Sequence, residues 1–431
     1  MEEENNMIEQ QEYKIDGAIK NFGDYQELAK RFISIQPIFY DKAKNWWLWN
    51  FKDLYWEMID ETDLFVKFDN AIDYSGSVMS QQKSAILEAL KRVGRKNIPK
   101  NAKKTWIQFK AGIIDIETNS EIEASPDFFI TNPIPWELGN IEDTPIMDKI
   151  FEQWVGKDYI LTLYEIIGFC MLPDYPIHRI FCFTGSGSNG KSKFLELIRK
   201  LIGKVNACSS DLNKLTKSNF ETAKLYKKLA CFMAETDFSV LNNTALIKQL
   251  TGEDVMGFEF KNKNPFDDIN YAKLLIATNS LPITEDKTRG FYRRWLIIDF
   301  PNEFSEEKNI LNDIPEEEYK NLARKSVIIL KHLLQKRAFH NDGTLDERKK
   351  RYEEKSDYFQ KYIDEECNIN VNAEMPFQKF SMLFTAYCEE KGLRRLSSNH
   401  IGRLLKGKGF VTKNKKIGET SVCTINGLTI K

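Results

Sequence analysis

Four histidines in 431 residues leave little room for His-based metal chemistry. Seven cysteines stand at positions 170, 182, 208, 231, 367, 388 and 423. None form a Cys-x-x-Cys pair and several sit in apolar runs. They read as reduced core residues, with neither a zinc site nor a disulfide framework. No apolar run approaches the roughly 20 residues needed to span a bilayer. The opening Met1-Glu2-Glu3-Glu4-Asn5-Asn6 is acidic and polar, unlike a signal peptide. A cytoplasmic protein with no membrane partner is expected. Internal repeats and long low-complexity segments are also missing. The net charge is only -1, so bulk charge alone names no partner.

What is present is ordinary for a folded chain: 42% hydrophobic and 29% charged residues. The length suggests two or three domains. After an acidic tail, 1–20, residues 21–145 are rich in aromatics and are expected to be mainly helical. The ring-dense Asn45–Phe51 reads as core packing or as a base-stacking platform. Residues 146–335 alternate apolar strands with helical stretches, as a doubly wound α/β ATPase does. Residues 336–355 read as a charged, solvated helix or linker. Residues 356–431 form a small domain. There Phe377–Glu390 reads as one helix. Ser397-Ser398 can cap a second, with Ile401, Leu404 and Leu405 on one face. A basic loop around Lys413, Lys415 and Lys416 then lies between two strand-like runs. Helix, helix, hairpin is the order of a winged helix, whose second helix enters the major groove. From Lys391 to Lys431 ten basic residues face one acid, Glu419. That asymmetry points to nucleic acid, with Arg403, Lys406, Lys413, Lys415 and Lys416 as contacts. A protein-binding module is the bland alternative.

The most specific signal is Gly185-Ser186-Gly187-Ser188-Asn189-Gly190-Lys191-Ser192. It matches Gly-x-x-x-x-Gly-Lys-Ser at every fixed position. The apolar run Ile180–Phe183 precedes it. Phe194, Leu197, Ile198, Leu201 and Ile202 follow at helical spacing, and Gly203 can end that helix. Strand, loop and helix make a phosphate cradle: backbone N–H groups close around oxygens at a positive helix end. Lys191 reaches the outer phosphates and Ser192 takes a place on Mg²⁺. ATP and Mg²⁺ are therefore the expected cofactors.

Downstream, the apolar run 229–234 ends in Glu235-Thr236-Asp237. Glu235 and Asp237 are candidates for holding Mg²⁺, Glu235 above all, and for orienting water, in either assignment. A second apolar run, 272–278, ends in Asn279, whose amide can contact phosphate or water. Arg293 and Arg294 precede a further strand, and either can serve as an arginine finger. Between Glu235 and Asn279, Phe258–Phe266 reads as a hairpin with a basic tip at Lys261 and Lys263.

In this order and spacing the elements resemble a superfamily 3 helicase, nearest the phage and plasmid primase-helicase group that includes the poxvirus primase-helicase. The resemblance covers roughly residues 40–431 and is most specific over 160–300. Phe109–Asp115, Asn132–Pro135 and Tyr164–Phe169 also resemble the lead-in to that group's ATPase. It implies an AAA+-type core, with a winged-helix-like domain behind it. It implies a homo-oligomeric ring, a hexamer as a rule, with ATP between subunits. Lys191, Ser192, Glu235, Asp237 and Asn279 would come from one subunit and Arg293 or Arg294 from the next. Lys261 and Lys263 would grip single-stranded DNA in the channel, with Lys248 a basic position before them. Forked DNA would be unwound with 3′ to 5′ polarity during replication of a mobile element. The stretch before residue 40 is too short for the primase of larger relatives, so a separate primase or polymerase is expected. The competing expectations are an AAA+ initiator or loader without processive unwinding, and a regulatory module that uses ATP only as a switch.

Overall fold

The aromatic run Trp46–Asn50 is extended. In the computed structural model, residues 25–71, 80–185, 187–234, 241, 243–261, 263–305, 309–390, 393, 395–417 and 420–431 are described. Helix α1 (Tyr25–Ile35) leads into an antiparallel sheet of β1 (Ile38–Tyr40), β2 (Trp46–Asn50) and β3 (Tyr55–Ile59). Helices α2 (Glu61–Ala71) and α3 (Ser80–Lys96) follow. Short strands β4 (Lys100–Asn101), β5 (Trp106–Phe109), β6 (Gly112–Asp115), β7 (Ser120–Ile122), β8 (Phe128–Phe129) and β9 (Pro133–Ile134) complete the region. Residues 21–145 were expected to be mainly helical; their described part holds nine strands beside three helices. The physical reason is visible on β2. Trp46 and Leu48 enter a local core with Phe32 and Phe68, while Trp47 and Trp49 enter a second core with Trp56 and Trp295. Alternate residues serve two cores, so the run is apolar throughout and hides its period of two. Burial of the run's three tryptophans leaves them no face for base stacking; of the rings in Asn45–Phe51 only Phe51 is exposed.

Helices α4 (Pro145–Val155) and α5 (Ile160–Met171) precede the central sheet. Its elements are β10 (Ile180–Thr184), α6 (Lys191–Ile202), β11 (Ala207–Ser209), α7 (Leu212–Lys217), α8 (Asn219–Thr222) and β12 (Ala230–Ala234). Then come α9 (Thr244–Leu250), the hairpin β13 (Val255–Phe258) and β14 (Phe266–Ile269), β15 (Lys273–Thr278), α10 (Arg289–Tyr292), β16 (Trp295–Asp299) and α11 (Glu316–Lys336). The strand order is β11-β12-β15-β10-β16 and every pairing is parallel. Phe181 and Phe183 face a core built with α4, α5, α6 and α11; Ile180 and Cys182 face the opposite core. Both faces are covered, which is why these strands read as unbroken apolar runs. This is an α/β fold with a parallel sheet. None of its described helices is long and apolar enough to cross a membrane.

The segment 336–355, expected as a solvated helix or linker, does hold a largely solvated helix, but one that is anchored to the sheet. Helix α11 runs to Lys336, and α12 (Leu345–Ser356) opens with a capping box from Thr344 and Glu347. Its Tyr352 is buried against Trp295 and donates to Pro282 O at 2.8 Å, so α12 is packed on the sheet. Beyond it lie α13 (Tyr358–Glu366), β17 (Cys367–Pro376), α14 (Phe377–Glu390), α15 (Ser398–Gly407), β18 (Val411–Ile417) and β19 (Thr420–Ile430). The strands form one antiparallel sheet in the order β17-β19-β18. Ser397 caps α15 as expected, accepting from His400 N. The expected basic loop is instead strand β18, because its lysines pair in register along β19.

Candidate functional site

Strand β10 delivers the chain to Gly185 on the edge where the parallel strands end. The loop that follows uses left-handed backbone at Gly187 (φ +136°), Ser188 (+41°) and Gly190 (+89°). Glycine at 190 is demanded twice, by φ and by space: a Cβ there would lie 2.3 Å from Trp154 Nε1. Ser186 lies outside the described residues. Lys191 opens α6 and is buried. Its Nζ donates to Gly185 O and Asn189 Oδ1, each at 2.8 Å, and to Asn279 Oδ1 at 3.4 Å. Asn189 is itself held by its Nδ2 bond to Phe300 O at 3.2 Å. Ser192 is exposed in the first turn of α6. The sequence-predicted Lys191 and Asn279 are thus brought together. Glu235 and Asp237 lie outside the described residues. Among described residues no cluster of three or more His, Cys, Asp or Glu could hold a metal.

A cleft of about 690 Å³ opens beside the loop. Gly185, Asn279 and Ser280 line one wall; Lys355 of α12, Tyr358 of α13 and Lys408 line the other. Behind Lys355, Asp299, the last residue of β16, accepts from Thr184 Oγ1, from Arg351 Nη2 at 2.9 Å and from Lys355 Nζ at 2.7 Å. Burial alone would raise the Asp299 carboxyl, but these donors outweigh it and hold the group below the usual carboxylate range. Arg351 and Lys355 were missed in the sequence. The signal available was the Thr344-x-x-Glu347 cap ahead of an otherwise charged helix carrying Tyr352.

The two arginines separate cleanly. Arg294 is buried; it donates from Nε to Thr251 Oγ1 at 2.8 Å, from Nη2 to Lys248 O at 3.0 Å and from Nη1 to Gly290 O. A guanidinium so occupied cannot reach a neighbouring subunit, which corrects its place among the finger candidates. Arg293 is exposed. Both precede β16, at the edge opposite the glycine loop, since Trp295 pairs with Ile180. Within one chain neither can meet a ligand at the loop.

Lys248 is also corrected as a nucleic-acid contact. Its ammonium is 2.6 Å from Asp286 Oδ2 and 3.0 Å from Thr288 Oγ1. Burial would raise the Asp286 carboxyl; bonds from Lys248, Thr244 and Thr288 instead hold it well below the carboxylate range. On the β13–β14 hairpin, Lys261 and Lys263 are exposed, but Lys263 Nζ also donates to Asn45 Oδ1 at 3.1 Å. Asn45 belongs to the N-terminal region, so that tip residue is tethered.

In the C-terminal region Arg403 and Lys406 are exposed on α15. Register divides the strand lysines. Lys416 shares the parity of Thr412, which pairs with the core residue Ile425, so it lies on the α15 side. Lys413 and Lys415 lie on the outer face, where Lys415 meets Glu374 at 2.7 Å.

A family of unknown function (DUF5906) matches residues 183–294, from the end of β10 through Arg294. A protein of Acanthamoeba polyphaga mimivirus named "Putative helicase L207/L206" is 27% identical over 213 residues, 46% of this chain and 22% of that protein. The chain thus spans about a fifth of that relative's length. The "Uncharacterized mitochondrial protein ymf21" of Marchantia polymorpha is 27% identical over 131 residues, 27% of this chain and 73% of that protein. The apo structure of the NrS-1 C-terminal region superposes with a TM-score of 0.46 at 13% identity, covering 94% of this chain and 99% of that one.

Proposed function

We propose that the chain is the motor of an ATP-dependent DNA helicase with a P-loop AAA+ core and a winged-helix DNA-binding unit. The observation that carries this is the glycine loop, which ends in buried Lys191 beside Asn279 of the neighbouring strand. The parallel order, with the loop strand inside and β16 beyond it, supports an AAA+ core. The helix-strand-helix-helix-hairpin order of residues 358–430 supports a winged helix. Similarity to a mimivirus protein carrying a helicase name points the same way.

The residues fit a magnesium nucleotide. Phosphate oxygens can replace the neutral acceptors Gly185 O and Asn189 Oδ1 around the Lys191 ammonium. Bound Mg²⁺–ATP would supply the scissile phosphoanhydride and its developing charge. Lys191 holds outer phosphates, the exposed Ser192 hydroxyl offers a metal ligand, and Glu235 or Asp237 completes the acidic side. Asn279 orients Lys191 from the next strand. Arg293 is the finger given to a neighbouring subunit, so a ring, a hexamer in this reading, is needed for turnover. Lys261 on the hairpin tip grips the single strand, and translocation runs 3′ to 5′. The setting is replication of a mobile element in the cytosol, with priming from a separate protein.

Lys191→Ala should abolish ATP hydrolysis; a folded variant with near-normal turnover would sink the assignment. The tether from Lys263 to Asn45 favours a second reading, an initiator or loader that holds DNA through its C-terminal unit. Strand displacement on a forked duplex separates the two.

A further inference from the structure

The cleft contains a cation that the glycine motif does not account for. Lys355 lies in the last turn of α12, and its backbone and side chain are fixed at different strands. Its carbonyl accepts from Leu281 N at 3.1 Å, two residues past Asn279 at the end of β15. Its ammonium lies 2.7 Å from Asp299 Oδ1 at the end of β16. Strand β10 runs between β15 and β16. Lys355 therefore crosses the end of β10, where the glycine loop begins, and it lines the same cleft as Gly185 and Asn279.

Charge decides what it can do there. Asp299 is shared by two cations, Arg351 and Lys355, so one positive charge is left over at this point. Arg351 is the fixed partner, since its guanidinium also donates to Tyr159 OH at 3.3 Å. Lys355 is the freer one: its ammonium is a point charge on a flexible stem, and about a third of the side chain (35%) is exposed. If it leaves, Asp299 keeps Arg351 and the Thr184 hydroxyl. The acids on the cleft wall are engaged elsewhere: Asp357 with Lys408, Glu353 with Tyr292 and Lys287, Glu354 with Lys350, and Asp364 with Gln360.

We propose that Lys355 is a second phosphate-binding lysine of this site, exchanging Asp299 for the terminal phosphate of a nucleoside triphosphate. The proposal rests on the nucleotide-site reading above. It makes α12 the element that distinguishes triphosphate from diphosphate, because a diphosphate lacks the group that draws Lys355 away.

The test is calorimetric titration of the full chain with ATPγS and with ADP, both with Mg²⁺. Wild type, Lys355→Met, Lys355→Arg and Lys191→Ala are compared. The Met variant keeps the stem and leaves Asp299 its other partners, so the fold should persist. The expected result is about a tenfold loss of ATPγS affinity in Lys355→Met with ADP affinity within about twofold, and substantial rescue by Lys355→Arg. Equal losses for both nucleotides, or no loss for either, would overturn the proposal. Wild type binding neither nucleotide, or Lys191→Ala binding both normally, would instead remove the nucleotide-site reading, and this proposal with it.

Discussion

Lys191 and Asn279 stand 88 positions apart in sequence and meet at 3.4 Å between Nζ and Oδ1. Parallel pairing of Thr184 with Thr278 produces the encounter by ending β10 and β15 at the same level. If Asn279 orients the lysine or the attacking water, Asn279→Ala should act on turnover more than on binding. A hydrogen bond to a charged group is worth about 1.5–3 kcal/mol, roughly a 10- to 100-fold effect. The expected outcome is a loss of that size in kcat with nucleotide affinity changed only about threefold. Steady-state phosphate release and nucleotide titration on the same preparation check it.

The two adjacent arginines should fail differently. Arg294→Ala strips donors from Thr251 Oγ1 and two backbone carbonyls in a buried setting. A stability loss of about 2–4 kcal/mol is expected, seen as a lower denaturation midpoint. Arg293→Ala should leave that midpoint unchanged and lower ATP turnover. Mixed with excess Lys191→Ala protein, which retains Arg293, the Arg293→Ala chain should regain activity. Failure of such mixing would remove the intersubunit role.

Much of this site was legible in sequence, and the exceptions share a cause. The loop was legible because its glycines answer to backbone demands, as at Gly190, that no other residue meets. Strands β10 and β15 were legible because a sheet covered on both faces leaves an unbroken apolar run. Helices α14 and α15 were legible from a cap and a one-sided apolar face. Strand β2 was not, since Trp46 and Trp47 serve different cores, and only tertiary structure separates them. The packing of α12 on the sheet was not, since nine of its twelve residues are charged and the single ring of Tyr352 anchors it. Which of Arg293 and Arg294 is free depends on contacts with Lys248 and Thr251, more than 40 positions away.

Lys273 gives a pH signature unrelated to catalysis. It is fully buried on β15, over the rings of Phe169 and Tyr175, and donates to Leu172 O. Burial pushes its ammonium down to about 7, against the opposing charges of Cys170 and Asp174. The unfolded chain, with an ordinary lysine near 10.4, then binds more protons between these two values. Stability should therefore rise with pH from about 7 toward 10.4, and the penalty should be full below 7. Lys273→Met removes the penalty, so it should raise the midpoint at pH 7, by a margin that shrinks as pH increases. Denaturation of both proteins across that range checks the sign.

Lys248 should behave as a structural residue. Lys248→Ala leaves Asp286 with Thr244 and Thr288 alone. The carboxyl is held low by these donors, so its contribution is present above the unfolded pKa and is lost as pH falls through the folded one. The variant should lose stability at neutral pH, and the gap from wild type should narrow in acid. Its affinity for single-stranded DNA should match wild type in fluorescence anisotropy. A selective loss of DNA affinity would restore it as a contact.

The register of β18 against β19 makes the basic C-terminal region a sorted surface. Arg403 and Lys406 are exposed on α15, and Lys416 lies on the same side of the sheet, whereas Lys413 and Lys415 face outward. If α15 and the adjoining hairpin lie against duplex DNA, phosphate contacts come from the first set. Each contact contributes about 0.9 to the slope of log affinity against log salt. Arg403→Gln, Lys406→Gln and Lys416→Gln should each lower the slope by about that amount, while Lys413→Gln and Lys415→Gln should leave it unchanged. Lys415 has the further reason that its ammonium is already paired with Glu374. Anisotropy titrations over a range of salt separate the two sets. Equal slopes for all five variants would mean that attraction is diffuse and that α15 does not dock; a loss confined to Lys413 and Lys415 would place the duplex on the other face of the sheet.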